Sequence, residues 1–245
     1  MKKEEIIRRM NPKLFQGICH RGYHNETDTE NGLRAFENAI DKNMAFELDV
    51  HLTKDKQLVV IHDSDTRRVT GKEGIIEELT LKEIKEKYRL LDKEQIPTLE
   101  EVLNLTEEKV PIVVELKAYK NNNRELAEKT KEALRRIKDP SNILIISFDP
   151  RALFFMGRRF IRELLVAHDG KHEYTQCFSF LFEGLDLDQK FLKEKKYQNM
   201  HRRKVINCWT IETEESFSDV LPYVDTVTFQ YLDAKKVAQS LSHKK

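Results

Sequence analysis

Apolar residues in this chain fall into two kinds of segment. The short runs are FQGIC (15–19), MAFELDV (44–50), LVVIH (58–62), VPIVVEL (110–116), NILIISF (142–148), ELLVAH (163–168), VINCW (205–209) and VDTVTF (224–229). Each has the length of a strand, and most are rich in Val and Ile. Between them, apolar positions recur at helical spacing. Over 31–41, Leu33, Phe36 and Ile40 share one face. The segment 80–88 opens with Thr80 and Glu83 at the spacing of a capping box. Further helices are predicted over 98–105, 124–137, 150–157, 188–200, 213–221 and 233–241. Strands that alternate with helices fold as parallel βαβ units. About eight such repeats predict a closed TIM (β/α)8 barrel more than an open sheet. The stretch 168–187 should hold the sixth strand. The stretch 51–97 is too long for a simple crossover and predicts a small insertion after the second strand. No linker or low-complexity tract interrupts the chain, so 1–245 is expected to form one domain, with NNNR at 121–124 a polar loop.

Composition narrows the class. A hydrophobic share of 39% with 35% charged residues is that of a soluble globular chain, not a disordered one. The net charge of +1 argues against bulk nucleic-acid binding, but not against a local anion site. Cys19, Cys177 and Cys208 are odd in number and include no CxxC, so buried, reduced thiols are expected rather than disulfides or zinc. At the N-terminus, Glu4-Glu5 and Arg8-Arg9 flank only two isoleucines, so no signal sequence is expected there. No run of about 20 apolar residues occurs, so no membrane insertion is expected and the cytoplasm is the expected location.

Polar residues gather at the C-terminal ends of the predicted strands, the face where parallel barrels build sites. Side chains alternate across a strand, so Glu47 and Asp49 point the same way, into the barrel if Phe46, Leu48 and Val50 face the helices. Two inward carboxylates repel unless a cation joins them. Glu115 adds a third from another strand. Carboxylates without Cys or His suit a hard divalent cation, Mg²⁺ or Ca²⁺. Arg21, in His20-Arg21-Gly22, offers a planar fork that fits phosphate oxygens. His20 titrates near working pH, and His62 is followed by Asp63, which is placed to orient its imidazole.

In combination, these residues resemble one family. His20-Arg21-Gly22, Glu30-Asn31, AFENAI (35–40), ELDVHLTKD (47–55), LVVIHD (58–63) and Thr70-Gly71 are similar to the N-terminal signature of glycerophosphodiester phosphodiesterases. IPTLEEVL (96–103), VVELK (113–117), ISFDP (146–150) and CWT (208–210) continue the likeness. The resemblance implies a TIM barrel with a small insertion after the second strand. It implies that Glu47, Asp49 and Glu115 bind the metal, that His20 and His62 are the acid/base pair, that Arg21 and Lys117 hold the phosphate, and that Trp209 packs on the glycerol. The implied activity is metal-dependent hydrolysis of glycerophosphodiesters to sn-glycerol 3-phosphate and an alcohol. The chain departs from the usual pattern in three places: Thr29 stands where Pro is usual, Asn43 where Gly is usual, and Thr228-Phe229-Gln230 where the last strand usually carries Thr-Asp. Asn tolerates positive φ better than most residues, so the turn at 43 survives.

Other readings share these residues. A phospholipase acting on lysophospholipids or sphingomyelin-like diesters would add an apolar groove or a membrane-facing loop. A phosphodiester-binding barrel without turnover would lose metal or His positions, and none is lost. His51 shares the face of Glu47 and Asp49 and reads as a supporting partner or a loop residue more than as a further ligand. His24, His168, His172, His201 and His243 are expected at the surface, as is the basic run 201–204. Phe154, Phe155 and Met156 are expected to pack. There is no Gly-rich phosphate loop and no GxSxG.

Overall fold

A computed structural model of the chain describes residues 2–170 and 172–243. Its strands are β1 (Ile18–Cys19), β2 (Ala45–Leu52), β3 (Leu58–Val60), β4 (Ile112–Leu116), β5 (Ile143–Ser147), β6 (Ile161–Val166), β7 (Gly184–Asp188), β8 (Val205–Trp209) and β9 (Thr228–Phe229). All but β3 pair in parallel, in the order β8-β7-β6-β5-β4-β2-β1-β9. The two ends of that path meet just beyond β8, where Ile211 bridges Phe229 in parallel. The result is a nearly closed barrel of parallel strands with helices between them, the TIM-barrel architecture.

The cores show which way each strand faces. Phe46, Leu48, Val50, Val114, Leu116, Ile145 and Leu164 pack outward with helix residues such as Phe36, Val102 and Leu126. The alternate positions Ile18, Ala45, Val113, Leu144, Ile161 and Val205 cluster inside, and Ile6, Met10 and Leu14 from the N-terminal segment pack against them. Thr98 and Glu101 cap the helix Leu99–Thr106, as Thr80 and Glu83 cap Leu81–Lys87. Each such box satisfies end N–H groups, typically contributing about 1 kcal/mol. Asn43 adopts φ 56°, so the Gly-like turn before β2 is kept.

Several expectations are corrected. The run 58–62 is no barrel strand: β3 folds back antiparallel on β2. The chain from β3 to β4 builds a small core of its own from Val59, Ile61, Val69, Ile76, Ile84, Tyr88, Leu90 and Ile96. The sixth parallel strand is β7, preceded by the 3₁₀ segment Glu173–Leu181. The helix expected over 188–200 is broken into Gln189–Lys193, Lys195–Gln198 and Met200–Arg202. Only Phe191, Leu192 and Tyr197 are buried there, and two short turns suffice to bury them. Cys19 and Cys208 are buried but Cys177 is exposed. Phe154 is exposed, whereas Met156 packs in the core. Lys204 is not simply solvated, since it donates to the carbonyls of Ser179 and Phe182. Among the described residues, no helix is long and apolar enough to cross a membrane.

Candidate active site

The site lies at the C-terminal mouth of the barrel. Parallel register sets Asp49 beside Glu115 across β2 and β4, with Glu47 one inward position deeper. Single oxygens of Glu47, Asp49 and Glu115 lie within 4.8 Å of one another, and all three residues are buried. Oε1 of Glu47 and Oδ1 of Asp49 are buried and accept no hydrogen bond from the described residues. Burial, with the neighbouring charges of Asp49 and Glu115, pushes the Glu47 carboxyl well above its ordinary range. Burial also raises Glu115, although Lys117 opposes it. Asp49 is held down against its burial by Lys117, His62 and Arg21. Converging buried carboxylates with spare acceptor oxygens fit a divalent cation bound by hard oxygen ligands.

Cationic and amide groups fix the cluster. Arg21 takes left-handed φ 52°, followed by Gly22 at φ 83°. A Cβ on Gly22 would lie 2.8 Å from the carbonyl carbon of Ala35, so only glycine lets this loop sit against the helix Leu33–Asp41. The turn aims the Arg21 backbone N–H at Glu47 Oε2, 3.0 Å away. The Arg21 guanidinium contacts Glu30 at 2.7 Å and Asp49 at 3.4 Å. Asn31 donates to Asp49 Oδ2 at 2.8 Å. Lys117 pairs with Glu115 at 2.9 Å and Asp49 at 3.5 Å.

The two candidate imidazoles flank this cluster. His62 Nδ1 lies 2.7 Å from Asp63 Oδ1, the orienting contact anticipated from their adjacency. Burial lowers the pKa of His62, while Asp49 and Asp63 favour its protonated form. His51 lies behind it, with Nδ1 2.6 Å from Glu77 and Nε2 donating to the His62 carbonyl at 3.0 Å, a supporting place and not a ligand's. His20 follows β1, its Nδ1 2.7 Å from Gln230 Oε1. Burial, then Arg21, pushes His20 down to about 3.

His20, Arg21, Glu47, His62 and Glu115 line one narrow cavity of about 70 Å³, with Ile146, Phe148, Leu165 and Trp209 as its apolar side. His62, Glu115, Phe148 and Trp209 also border a wider cleft of about 860 Å³, which Lys117, Tyr174 and Phe178 help to wall. The structure thus gathers every residue singled out in the sequence for chemistry.

It also adds groups that sequence reasoning missed. Glu30 bridges Arg21 and Arg68, which hold its carboxyl down to about 2 against its burial. Asp186 reaches the narrow cavity from β7, with Oδ1 accepting no hydrogen bond from the described residues. His24 is half-buried against Gln230, and His172 packs at a 40° tilt against Phe148 with ring centroids 4.8 Å apart, so neither is the plain surface residue expected. Thr29 uses a backbone N–H that proline would lack to donate to Asp92 at 2.7 Å. Only the Glu30-Asn31 pair carried any signal, by adjacency to the HRG loop.

The sequence model of the glycerophosphoryl diester phosphodiesterase family matches residues 20–220. The chain belongs to that family. Family members resemble it in sequence and in shape. A glycerophosphodiester phosphodiesterase of Caldanaerobacter subterraneus subsp. tengcongensis is 36% identical over 147 residues, which cover 56% of this chain and 59% of that one. The chain spans about half the length of the curated relatives it matches. The crystal structure of a glycerophosphodiester phosphodiesterase from Parabacteroides distasonis superimposes with a TM-score of 0.76 at 26% identity, covering 93% of this chain and 96% of that one. A phosphodiesterase of Oleispira antarctica, solved with the product sn-glycerol-3-phosphate, has the same fold at 22% identity, TM-score 0.78, with 93% and 96% covered.

Proposed function

We propose that this member of the family hydrolyses glycerophosphodiesters to sn-glycerol 3-phosphate and an alcohol, with Mg²⁺ or Ca²⁺ at Glu47, Asp49 and Glu115. The observation that carries the reading is the convergence of those buried carboxylates beside His20 and His62 in one cavity. A divalent cation held there would neutralise charge on a phosphoryl oxygen and so favour attack on phosphorus. Arg21 and Lys117 supply the remaining positive charge at the phosphate. One imidazole takes the proton of the attacking hydroxyl and the other gives a proton to the departing alkoxide. Trp209, its Nε1 donating to the Asp186 carbonyl at 3.1 Å, presents a fixed apolar wall to the glycerol carbons.

The test is release of sn-glycerol 3-phosphate from glycerophosphocholine and glycerophosphoethanolamine with added Mg²⁺ or Ca²⁺. Turnover that EDTA abolishes is the expected result, and turnover that survives EDTA removes the metal. A second reading, cleavage of lysophospholipids, is favoured by the apolar rim of the cleft. Tyr174 and Phe178, 65% and 36% exposed, border the cleft from the segment Glu173–Leu181. Faster turnover of lysophosphatidylcholine than of glycerophosphocholine would choose that substrate. Binding without turnover of either would leave a non-catalytic barrel.

A further inference from the structure

We propose that Gln230 is a positioning residue: it holds His20 as the Nδ1–H tautomer and so leaves Nε2 of His20 as the bare, proton-accepting nitrogen of the site. The inference rests on the phosphodiesterase reading for its catalytic meaning, but the tautomer itself is a property of the free protein.

The backbone sets the two residues side by side. His20 N–H donates to the Phe229 carbonyl at 2.8 Å, which extends the β1–β9 ladder by one step. Gln230 N–H donates to the Ile211 carbonyl at 3.0 Å. Both side chains are therefore hung from the ladder that closes the barrel, not from a free loop.

The amide can face only one way. Its Nε2 lies 2.5 Å from Glu212 Oε1. An ionised carboxylate only accepts hydrogen bonds, so the NH₂ end must point at Glu212 and the carbonyl end at the histidines. Gln230 Oε1 lies 2.7 Å from His20 Nδ1 and 3.2 Å from His24 Nε2. An amide oxygen also only accepts, so both of those ring nitrogens carry protons. A neutral imidazole has one N–H, and the hydrogen bond at one nitrogen decides the state of the other. His20 Nε2 is then unprotonated.

The surroundings separate the two histidines. Burial and the adjoining Arg21 cation disfavour charge on His20, with Gln230 and the Asp49 and Glu30 carboxylates as partial compensation. Glu47, Glu115, Asp186 and His62 line the same cavity. Across Gln230 stand His24 and Glu212, but Glu212 reaches His20 only through the neutral amide. His62, by contrast, has the Asp63 carboxylate directly on Nδ1 at 2.7 Å. The contacts rank the pair: Asp63 directly on Nδ1 makes His62 the better proton carrier of the two, although burial, Lys117 and Arg21 all lower it, and His20 stays neutral with Nε2 bare. In the reaction, the attacking hydroxyl loses its proton to His20 Nε2 as the new O–P bond forms. The old P–O bond breaks, and His62 protonates the departing oxygen.

Long-range ¹H–¹⁵N correlation spectra of ring-labelled histidine at about pH 8, assigned with a His20→Asn variant, read the tautomer directly. Wild type is expected to show His20 protonated at Nδ1. Gln230→Leu is expected to shift the population towards Nε2–H and to lower kcat by about 10- to 100-fold, the usual scale for loss of an orienting partner, with KM changed less than about 3-fold. The exchange Gln230→Glu/Glu212→Gln keeps one amide and one carboxylate in contact and still accepts from His20, so it is expected to restore the Nδ1–H form, while the carboxylate now on Nδ1 favours the protonated ring and shifts the acid limb of the pH–kcat profile upward. His20 seen as Nε2–H in the wild type, or Gln230→Leu with an unchanged kcat, overturns the proposal. An Nδ1–H signal in a protein that hydrolyses no glycerophosphodiester supports the positioning role of Gln230 and removes the phosphodiesterase reading alone.

Discussion

At the scale of single residues, the carboxylate cluster sets buried acids against one another, a repulsion that Lys117 and Arg21 offset in part. Glu47 is buried against Asp49 and Glu115, with one oxygen accepting no hydrogen bond from the described residues. Glu47→Gln is expected to lower kcat by at least about 10²-fold, the scale for losing an electrostatic stabiliser. It should leave thermal stability in EDTA equal to or above that of wild type, because Gln replaces a buried carboxyl whose charged form its surroundings disfavour. A variant that melts several degrees lower would show that Glu47 is chiefly structural. Asp63→Asn tests the other flank. It keeps an acceptor near His62 Nδ1 but removes the charge, and kcat should fall about 10- to 100-fold with little change in KM. These residues were legible in the sequence because parity within one strand or adjacency in the chain links them: Glu47 with Asp49, His62 with Asp63. Gln230, Arg68 and Asp186 were not, since each reaches the site from far along the chain. No local pattern joins position 20 to 230 or position 30 to 68.

At the scale of elements, the excursion between β3 and β4 does more than lengthen a crossover. Its own small core anchors the segment Arg67–Thr70, which carries Arg68 to the barrel mouth. There Arg68 grips Glu30 at 2.7 Å and Asp63 at 2.5 Å. The first of these carboxylates holds Arg21, and the second holds His62. One residue of the insertion therefore tensions both a phosphate-binding candidate and a proton-transfer candidate. Arg68→Ala is expected to cost about 10-fold or more in kcat/KM. Its effect on stability should stay near 1 kcal/mol or less, since Arg68 is about half exposed and such pairs are screened. Steady-state kinetics beside a urea titration separates the two, and equal losses in both would reduce the insertion to a packing element. The sequence announced this insertion by its length but hid β7. That strand reads GLDLD, with Gly184, Asp186 and Asp188 alternating with Leu185 and Leu187. Only the leucines join the outer core, so no continuous apolar run marks it. The barrel pattern survives in the outward residues, whereas the inward ones have been given over to polar groups.

At the scale of the whole molecule, those polar groups reach deep into the barrel. Glu163, on β6, has an inward carboxyl beside Gly184 that is fully buried and accepts no hydrogen bond from the described residues on either oxygen. Burial, with the charges of Asp186, Asp225 and Glu183, raises its pKa well above the ordinary value. The sign of its effect on folding follows. Below the unfolded-state pKa of about 4.3, both states hold the proton and Glu163 costs no ionisation. As pH rises from there towards the folded-state pKa, the unfolded chain releases the proton and the folded chain keeps it. Folded stability then falls with rising pH by this group's share. Methionine at 163 has a similar length and nothing to ionise. Glu163→Met is therefore expected to be more stable than wild type at pH 8, by about 1–3 kcal/mol, the scale of an unsatisfied buried polar group. The gap should narrow as the pH is lowered towards 4, and urea midpoints at both pH values measure it. Asp186 and His20 titrate in both proteins, so to first order their shares drop out of the difference. A gap of the same size at both pH values would mean that Glu163 is not held protonated in the folded barrel. If the gap narrows as expected, part of the barrel's interior lowers the stability of the fold at neutral pH, directly beneath the cluster proposed to bind the metal.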